Sequence, residues 1–133
     1  MKYPKFNPQP KKNKYGAKKQ LAGGRVYDST LEKKKADDLE WMRRAGEIRS
    51  WKAQHCFALR VNGTMIGNYY IDFRVVGLDN VIDYIEVKGF PTDLWRLKFR
   101  LTQALFDELT PGENARLFLN NKLICQSFKA QPK

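Results

Sequence analysis

Residues 69–88, YYIDFRVVGLDNVIDYIEVK, decide the fold. Two runs rich in β-branched and aromatic residues predict strands over 69–76 and 81–88, and Gly-Leu-Asp-Asn between them is a turn signal. The first run contains Asp72 in a mainly apolar setting, and the second contains Glu86, two residues before Lys88. A buried charge needs a partner or a metal ion. The stretch therefore predicts a hairpin that carries two candidate site residues.

Whether the two acids meet depends on the loop that joins the strands. If Asp72 lies opposite Glu86, the loop has three residues or contains a bulge. A plain four-residue loop at 77–80 puts the acids on opposite faces, because side chains alternate along a strand. The sequence allows either register. Lys88 does not depend on this choice, since residues i and i+2 of a strand share a face and Glu86 and Lys88 lie side by side.

The flanking segments predict an α/β domain with the order α-β-β-β-α-β. A helix begins near Ser29, which stands at capping-box spacing from Glu32, and it ends at Gly46. A strand follows from residue 48, Asn62-Gly63 marks its turn, and the stretch up to Asn68 is expected to form a loop or a short extension of the hairpin. Its apolar residues are expected on one face: Trp51, Ala53, Phe57, Leu59 and Val61. Thr92 caps a second helix that reaches Pro111-Gly112, and a last short strand covers 115–119.

Charge divides the chain into two parts. The chain has 133 residues and a net charge of +11. Eight of the positive charges, and no acid, lie in residues 1–25. We interpret 1–25 as a flexible basic arm and 26–133 as a single domain. The excess of positive charge indicates a polyanionic partner, although a solubility tail is the alternative for the arm.

Composition also excludes several classes of site. The two cysteines and the single histidine, His55, argue against a disulfide framework, a zinc cluster and histidine-based catalysis. The polar N-terminus shows no secretory signal, and no apolar run approaches the length of a membrane span. A cytoplasmic location and no membrane partner are therefore expected.

A facing pair of carboxylates favours a divalent cation. Two such groups repel each other, and Mg²⁺ prefers hard oxygen ligands of this kind. A metal held there suits phosphodiester hydrolysis, because it polarises the phosphoryl oxygen and stabilises the leaving oxygen. Lys88 could position the attacking water or offset the developing charge. The alternative is an ion cluster of Asp72, Glu86 and Lys88 on an exposed face of the sheet.

These residues resemble a known superfamily. Asp72 with Glu86-Val87-Lys88, in the order α-β-β-β-α-β, is similar to the PD-(D/E)XK nucleases with their restriction-endonuclease-like core, a mixed sheet flanked by helices. More narrowly, residues 14–110 resemble a poorly characterised phage-encoded family within it. Ile71-Asp72 stands in place of the Pro-Asp of the superfamily's name. The matching segments are Lys14-Tyr15-Gly16-Ala17-Lys18-Lys19, Tyr27-Asp28-Ser29-Thr30-Leu31-Glu32, Ala45-Gly46-Glu47-Ile48, Tyr70-Ile71-Asp72-Phe73 and Val87-Lys88-Gly89-Phe90.

The resemblance implies a set of roles. Asp72, Glu86 and the Val87 carbonyl would bind Mg²⁺, for which Mn²⁺ would substitute. Glu32 would complete the site, although a helix cap is its alternative role. Lys88 would assist the attacking water.

The resemblance also implies an activity. It is that of a metal-dependent endodeoxyribonuclease, structure-selective for branched DNA such as a Holliday junction, in phage recombination, repair or replication inside the host cell. Resolution of a four-way junction needs two cuts, so a homodimer would follow for that substrate. An exonuclease acting on DNA ends, or a non-catalytic DNA-binding protein on a nuclease fold, is the alternative.

Basic residues provide candidate phosphate contacts, with an ordinary solvated surface as the alternative. They are Lys11, Lys12, Lys14, Lys18, Lys19 and Arg25 in the arm, and Arg96, Lys98 and Arg100 on the second helix. Gln54 is expected to face solvent, with a contact to the site as the alternative. Trp95 is expected in the core or in a dimer contact.

Overall fold

The computed structural model describes residues 20–22, 25–27 and 30–129 of the chain. The strands are β1 (Gln20–Ala22), β2 (Arg25–Tyr27), β3 (Ile48–Val61), β4 (Thr64–Gly77), β5 (Ile82–Glu86), β6 (Ala115–Leu119) and β7 (Lys122–Ser127). The helices are α1 (Thr30–Arg44), α2 (Asp93–Ala104) and the short α3 (Phe106–Leu109).

Five strands form one mixed sheet in the order β3-β4-β5-β6-β7. Only the β5–β6 pair is parallel, and α2 and α3 make the crossover between these two strands. The other neighbours are antiparallel. The predicted α/β class and mixed sheet are confirmed at this level, and the predicted order is present from α1 to β6. Strand β7 was not predicted.

The helix boundaries follow local signals. At the end of α1, Gly46 has φ +77°, and Glu47 N–H donates to Met42 O at 2.9 Å, as in a Schellman motif. The predicted end at Gly46 is therefore confirmed, whereas the Ser29 cap lies outside the described residues. Thr92 Oγ1 accepts a hydrogen bond from Trp95 N–H at 3.1 Å and caps α2 as predicted. The predicted single helix to residue 110 is wrong, because α2 ends at Ala104 and α3 follows Leu105.

Two apolar clusters cover opposite faces of the sheet. The first packs under α2 and α3 and includes Phe57, Ile71 and Tyr84. The second packs under α1 and includes Ala53 and Phe73. The prediction that Ala53 and Phe57 share one face is therefore wrong. The alternation is broken at Gln54, whose φ of +58° lies in the left-handed region.

Two other segments complete the comparison with the predictions. Asn62 and Gly63, with φ +51° and +80°, form a tight two-residue turn and β4 begins at Thr64, so residues 64–68 extend the hairpin, the second of the two alternatives. Strands β1 and β2 pair as an antiparallel hairpin that contacts α1. Residues 20–22 and 25, which fall within the predicted arm, lie in these two strands. The remainder of the arm, residues 1–19, lies outside the described residues. In the described part of the chain, no helix has both the length and the apolar character to cross a lipid bilayer.

Candidate active site

The β4–β5 loop sets the register of the two acids. Val76 pairs with Ile82 and Phe73 with Ile85, and Gly77 N–H donates to Val81 O at 2.9 Å. The loop between Gly77 and Val81 therefore has three residues. One further step of the same register places Asp72 opposite Glu86. Of the two registers that the sequence allows, the protein has the one in which the acids face each other.

The loop itself is held by a local contact. Asp79 Oδ1 accepts a hydrogen bond from Val81 N–H at 3.0 Å, and Asn80 has φ +67°. A Cβ atom on Gly77 would lie 2.8 Å from Asp79 Oδ1, a distance that side chains do not tolerate. Glycine at 77 therefore lets the Asp79 carboxylate fold back over the turn and close a three-residue loop.

The carboxyl groups of Asp72 and Glu86 each accept a hydrogen bond from a backbone amide of the opposite segment. Asp72 N–H donates to Glu86 Oε1 at 3.3 Å, and Val87 N–H donates to Asp72 Oδ2 at 2.8 Å. The two residues are 7% and 3% exposed, so solvent does little to screen the pair. The structure therefore places two carboxyl groups next to each other in a largely dry environment.

This environment raises the pKa of both acids. Burial, the charge of Glu86 and a hydrogen bond with Glu32 raise the pKa of Asp72 well above its ordinary value. Burial raises the pKa of Glu86 to about 7, although hydrogen bonds from Tyr69 and Trp95 and the charge of Lys88 oppose the rise. Without a cation, ionising both groups is unfavourable.

Glu32 reaches the pair from the first turn of α1. Its carboxyl group forms a side-chain hydrogen bond with Asp72 and contributes a like charge there. Glu32 is half-buried, on the side of the sheet covered by α1. The structure thus brings together three of the predicted acids, one from a helix and two from the central hairpin.

Trp95 binds the same pair from α2. Its indole N–H lies 2.9 Å from Glu86 Oε2 and 3.1 Å from the Tyr69 hydroxyl. Its ring stacks on Phe99 at 4.9 Å between centroids. Lys88 Nζ lies 5.6 Å from the centroid of the Trp95 ring, a cation–π distance. Trp95 packs against the core as predicted, but its contact with Glu86 was missed, because nothing local in the sequence marks it.

Asn120 is a second residue that sequence reasoning missed. Its backbone N–H donates to Glu86 O at 2.9 Å. Its side chain accepts from Lys88 N–H at 2.9 Å and donates to Lys88 O at 3.1 Å. Asn120-Asn121 forms the β6–β7 turn, and this asparagine pair is the only local signal that could have drawn attention to it.

Gln54 lies in β3, the neighbour of β4 on the side away from β5, at the level of Asp72. Its neighbours Ala53 and His55 pair with Phe73 and Ile71, and Gln54 itself is half-buried. Backbone strain of the kind seen at Gln54 persists only when the surroundings stabilise it, and it is common at functional sites. Gln54 is therefore partly exposed to solvent, and a contact of its side chain with the site stays a prediction.

The predicted phosphate contacts on α2 differ in their surroundings. Arg96 is exposed and pairs with Asp93 at 3.1 Å, and Arg100 is also exposed. Lys98 is half-buried, and its Nζ donates to Asn68 O at 3.1 Å. Lys98 is therefore engaged with β4. The arm lysines and the Arg25 side chain lie outside the part whose side chains the structure describes.

The donor set suits Mg²⁺ chemically. In the described residues, no group of three or more His, Cys, Asp or Glu side chains is arranged to hold a metal ion as it stands. Mg²⁺ usually keeps several waters and needs only one or two carboxylates from the protein. Asp72 and Glu86 supply two such carboxylates, both buried and next to each other. The residues therefore fit a divalent cation.

Comparison with known proteins gives one match. A family model described as "Protein of unknown function (DUF1064)" matches residues 12–118, which include α1, the whole β3–β5 region and α2. Neither the search of curated proteins nor the search of solved structures gave a match.

Proposed function

The chain belongs to the DUF1064 family, and from its site we propose that it is a metal-dependent endodeoxyribonuclease. The observation that carries the proposal is the buried pair of Asp72 and Glu86, which face each other across adjacent strands with Lys88 beside them. A protein that only binds DNA has no use for two buried acids, because they repel phosphate and destabilise the fold. An enzyme that binds a divalent cation needs this pair. The PD-(D/E)XK core remains part of this proposal.

Asp72 and Glu86 would hold the ion, with Glu32 and the Val87 carbonyl as further oxygen donors. Asn120 forms hydrogen bonds with the backbone of Glu86 and of Lys88, on the side of the chain that faces β6. Because the backbone N–H and C=O groups of successive extended residues point to opposite sides, those of Val87 point towards β4. The amide of Val87 confirms this direction, because it donates to Asp72. When bound, Mg²⁺ or Mn²⁺ would supply positive charge to the phosphate in the transition state.

Lys88 would act on the substrate directly. The charge of its ammonium group lowers the pKa of the Glu86 carboxyl group, so the two charges lie close together. An ammonium at this place can orient an attacking water or stabilise charge on the phosphate. Trp95 would keep both groups in place, since its N–H binds Glu86 and its ring faces Lys88.

DNA is the proposed partner because of the charge distribution. The net charge is +11, and seven lysines lie in residues 1–19. Contacts from such residues are made to phosphates and carry little sequence information. The resemblance to structure-selective nucleases makes branched DNA in phage recombination, repair or replication the proposed substrate, with the cytoplasm as the proposed location.

The test is cleavage of four-way, flap, single-stranded and linear duplex DNA, side by side, with and without Mg²⁺. Asp72→Ala and Glu86→Ala should each lower the cleavage rate by at least about 100-fold, the usual effect of removing a group that stabilises the transition state. DNA affinity should be unchanged or higher, because negative charge is removed. Asp38→Ala, at an exposed position of α1, is the matched control.

Each outcome distinguishes one candidate function. Cuts inside circular or branched DNA support an endonuclease, whereas products released only from ends indicate an exonuclease. Metal-independent binding without cleavage of any substrate indicates a non-catalytic DNA-binding protein. Cleavage that survives in both alanine variants refutes the assignment of the site.

A further inference from the structure

We propose that Asn120 is a positioning residue that holds the backbone of Lys88, and so its ammonium group, at the active site. The inference rests on the proposed function, since Asn120 would position Lys88, the residue that would assist the reaction. It concerns the β6–β7 turn, which carries none of the predicted site residues.

Asn120 continues the sheet beyond the end of β5. The last parallel pair of the β5–β6 ladder joins Glu86 to Leu119. Beyond it, Asn120 N–H donates to Glu86 O at 2.9 Å, and the Asn120 amide bonds both backbone groups of Lys88, at 2.9 and 3.1 Å. A side-chain amide has the same donor and acceptor as a peptide group. Asn120 therefore takes the place of a strand residue opposite Lys88.

Lys88 needs such support because regular structure ends before it. Strand β5 ends at Glu86, and residues 87–92 form no helix or strand before α2 begins at Asp93. Gly89 follows Lys88 directly, and glycine restricts the backbone least of all residues. On the other strand, Asp72 fixes Val87 through one hydrogen bond at 2.8 Å. Asn120 supplies the corresponding restraint one residue later, at the lysine itself.

The turn does not by itself require asparagine at 120. Asn120 and Asn121 have φ +48° and +68°, and glycine adopts both conformations at least as easily. A change of either residue to glycine therefore preserves the turn. Only the change at 120 removes the side-chain bonds to Lys88. This difference makes Asn121 a matched control in the same turn.

The experiment compares Asn120→Gly with Asn121→Gly in the full chain. We expect Asn120→Gly to lower kcat by about 10- to 100-fold, the usual effect of removing an outer partner of a site residue, with KM for DNA unchanged. Asn121→Gly should keep the wild-type kcat. If Asn120 acts through Lys88, its change should cause no further loss in the Lys88→Ala background, because the two effects are then not additive.

Amide hydrogen exchange gives a readout that does not depend on cleavage. The Lys88 amide should exchange at least about 10-fold faster in Asn120→Gly than in Asn121→Gly, since only the former loses the acceptor at 2.9 Å. Equal exchange in the two variants, an equal kcat in both, or a full additional loss in the Lys88→Ala background overturns the proposal. If the wild-type protein cuts no DNA, the proposed function fails, and exchange at Lys88 still decides whether Asn120 holds this backbone.

Discussion

Glu86 makes the stability of the metal-free protein depend on pH. Burial raises its pKa from the ordinary 4.5 to about 7. Between these values the folded protein keeps a proton that the unfolded chain has released, so the free energy of unfolding falls as pH rises. This contribution is fully present below pH 4.5 and is lost once pH passes about 7. The difference corresponds to about 3 kcal/mol, at about 1.4 kcal/mol for each pH unit.

Urea unfolding of Glu86→Gln and wild type, in the presence of a chelator, measures this contribution. His55 acts in the opposite sense, because burial lowers its pKa from 6.5 to about 4 and its contribution is lost as pH falls through that range. His55 is present in both proteins, so its effect cancels in their difference. We expect the free energy of unfolding of Glu86→Gln, relative to wild type, to rise by about 3 kcal/mol between pH 4.5 and 8, and Asp72, whose pKa the charge of Glu86 raises, changes this difference in the same direction. Any hydrogen bond that glutamine forms less well than glutamate lowers the free energy of unfolding of the variant by an amount that does not change with pH.

Glu47→Gln is the control, since Glu47 is an exposed acid at the end of α1. Its difference from wild type should stay flat over the same range. Saturating Mg²⁺ at pH 8 should stabilise wild type by about 3 kcal/mol at 100 times the Kd, and leave Glu86→Gln with little gain. A difference between Glu86→Gln and wild type that is flat, or that falls with rising pH, refutes the reasoning on the carboxylate pair.

Three further predictions concern Lys88, Trp95 and the arm. Lys88→Ala should abolish cleavage while Mn²⁺ affinity, measured by titration, stays at the wild-type level, and lost binding would contradict the division of roles. Trp95→Phe keeps the ring but loses the N–H to Glu86, so metal affinity should fall about 10-fold in the same titration, whereas Trp41→Phe, at a residue 69% exposed, should change nothing. Deletion of residues 2–19, which stops before the β1–β2 hairpin, removes seven lysines and should weaken DNA binding and flatten its salt dependence. Cleavage at saturating enzyme and low salt should persist, and an unchanged salt slope would leave the arm as a solubility tail.

Local signals made most of the framework predictable. Glycine at 46, Asn62-Gly63 and the Thr92 cap act through their own backbone and the nearest residues, so the sequence alone locates these boundaries. The proximity of Lys88 to Glu86 was predicted from a strand over 81–88, but β5 covers only Ile82–Glu86, and the Asn120 side chain bonds the backbone of Lys88 beyond its end. Apolar periodicity was sufficient to predict β6, which has a neighbouring strand on each side. Strand β7 is a half-exposed edge strand without clear alternation, and it was missed.

Features that depend on distant contacts could not be predicted. β3 changes from one apolar cluster to the other at the left-handed residue Gln54, β4 does so between Ile71 and Phe73, and nothing in the sequence signals either change. The contact of Trp95 with Glu86 depends on where α2 packs, and that of Asn120 depends on the parallel β5–β6 register. The sequence does not determine whether Asp72 and Glu86 face each other, since this depends on whether the loop between their strands has an odd or an even number of residues.

The three-residue loop after Gly77 has a consequence for how this protein tolerates insertions. Surface loops usually accept an added or deleted residue at small cost, because the change affects only the loop. Here one inserted residue would shift the pairing of β5 with β4 by one position. The side chains of β5 would then point to the opposite face of the sheet, unless a bulge restored the register. Asp72 lies five residues before Gly77 and Glu86 lies five residues after Val81, about 17 Å along each strand, so a change far from the chemistry would separate them. Length variation at residues 78–80 is therefore equivalent to an active-site mutation, and homologous chains with a functional site should keep this loop at three residues or compensate with a bulge.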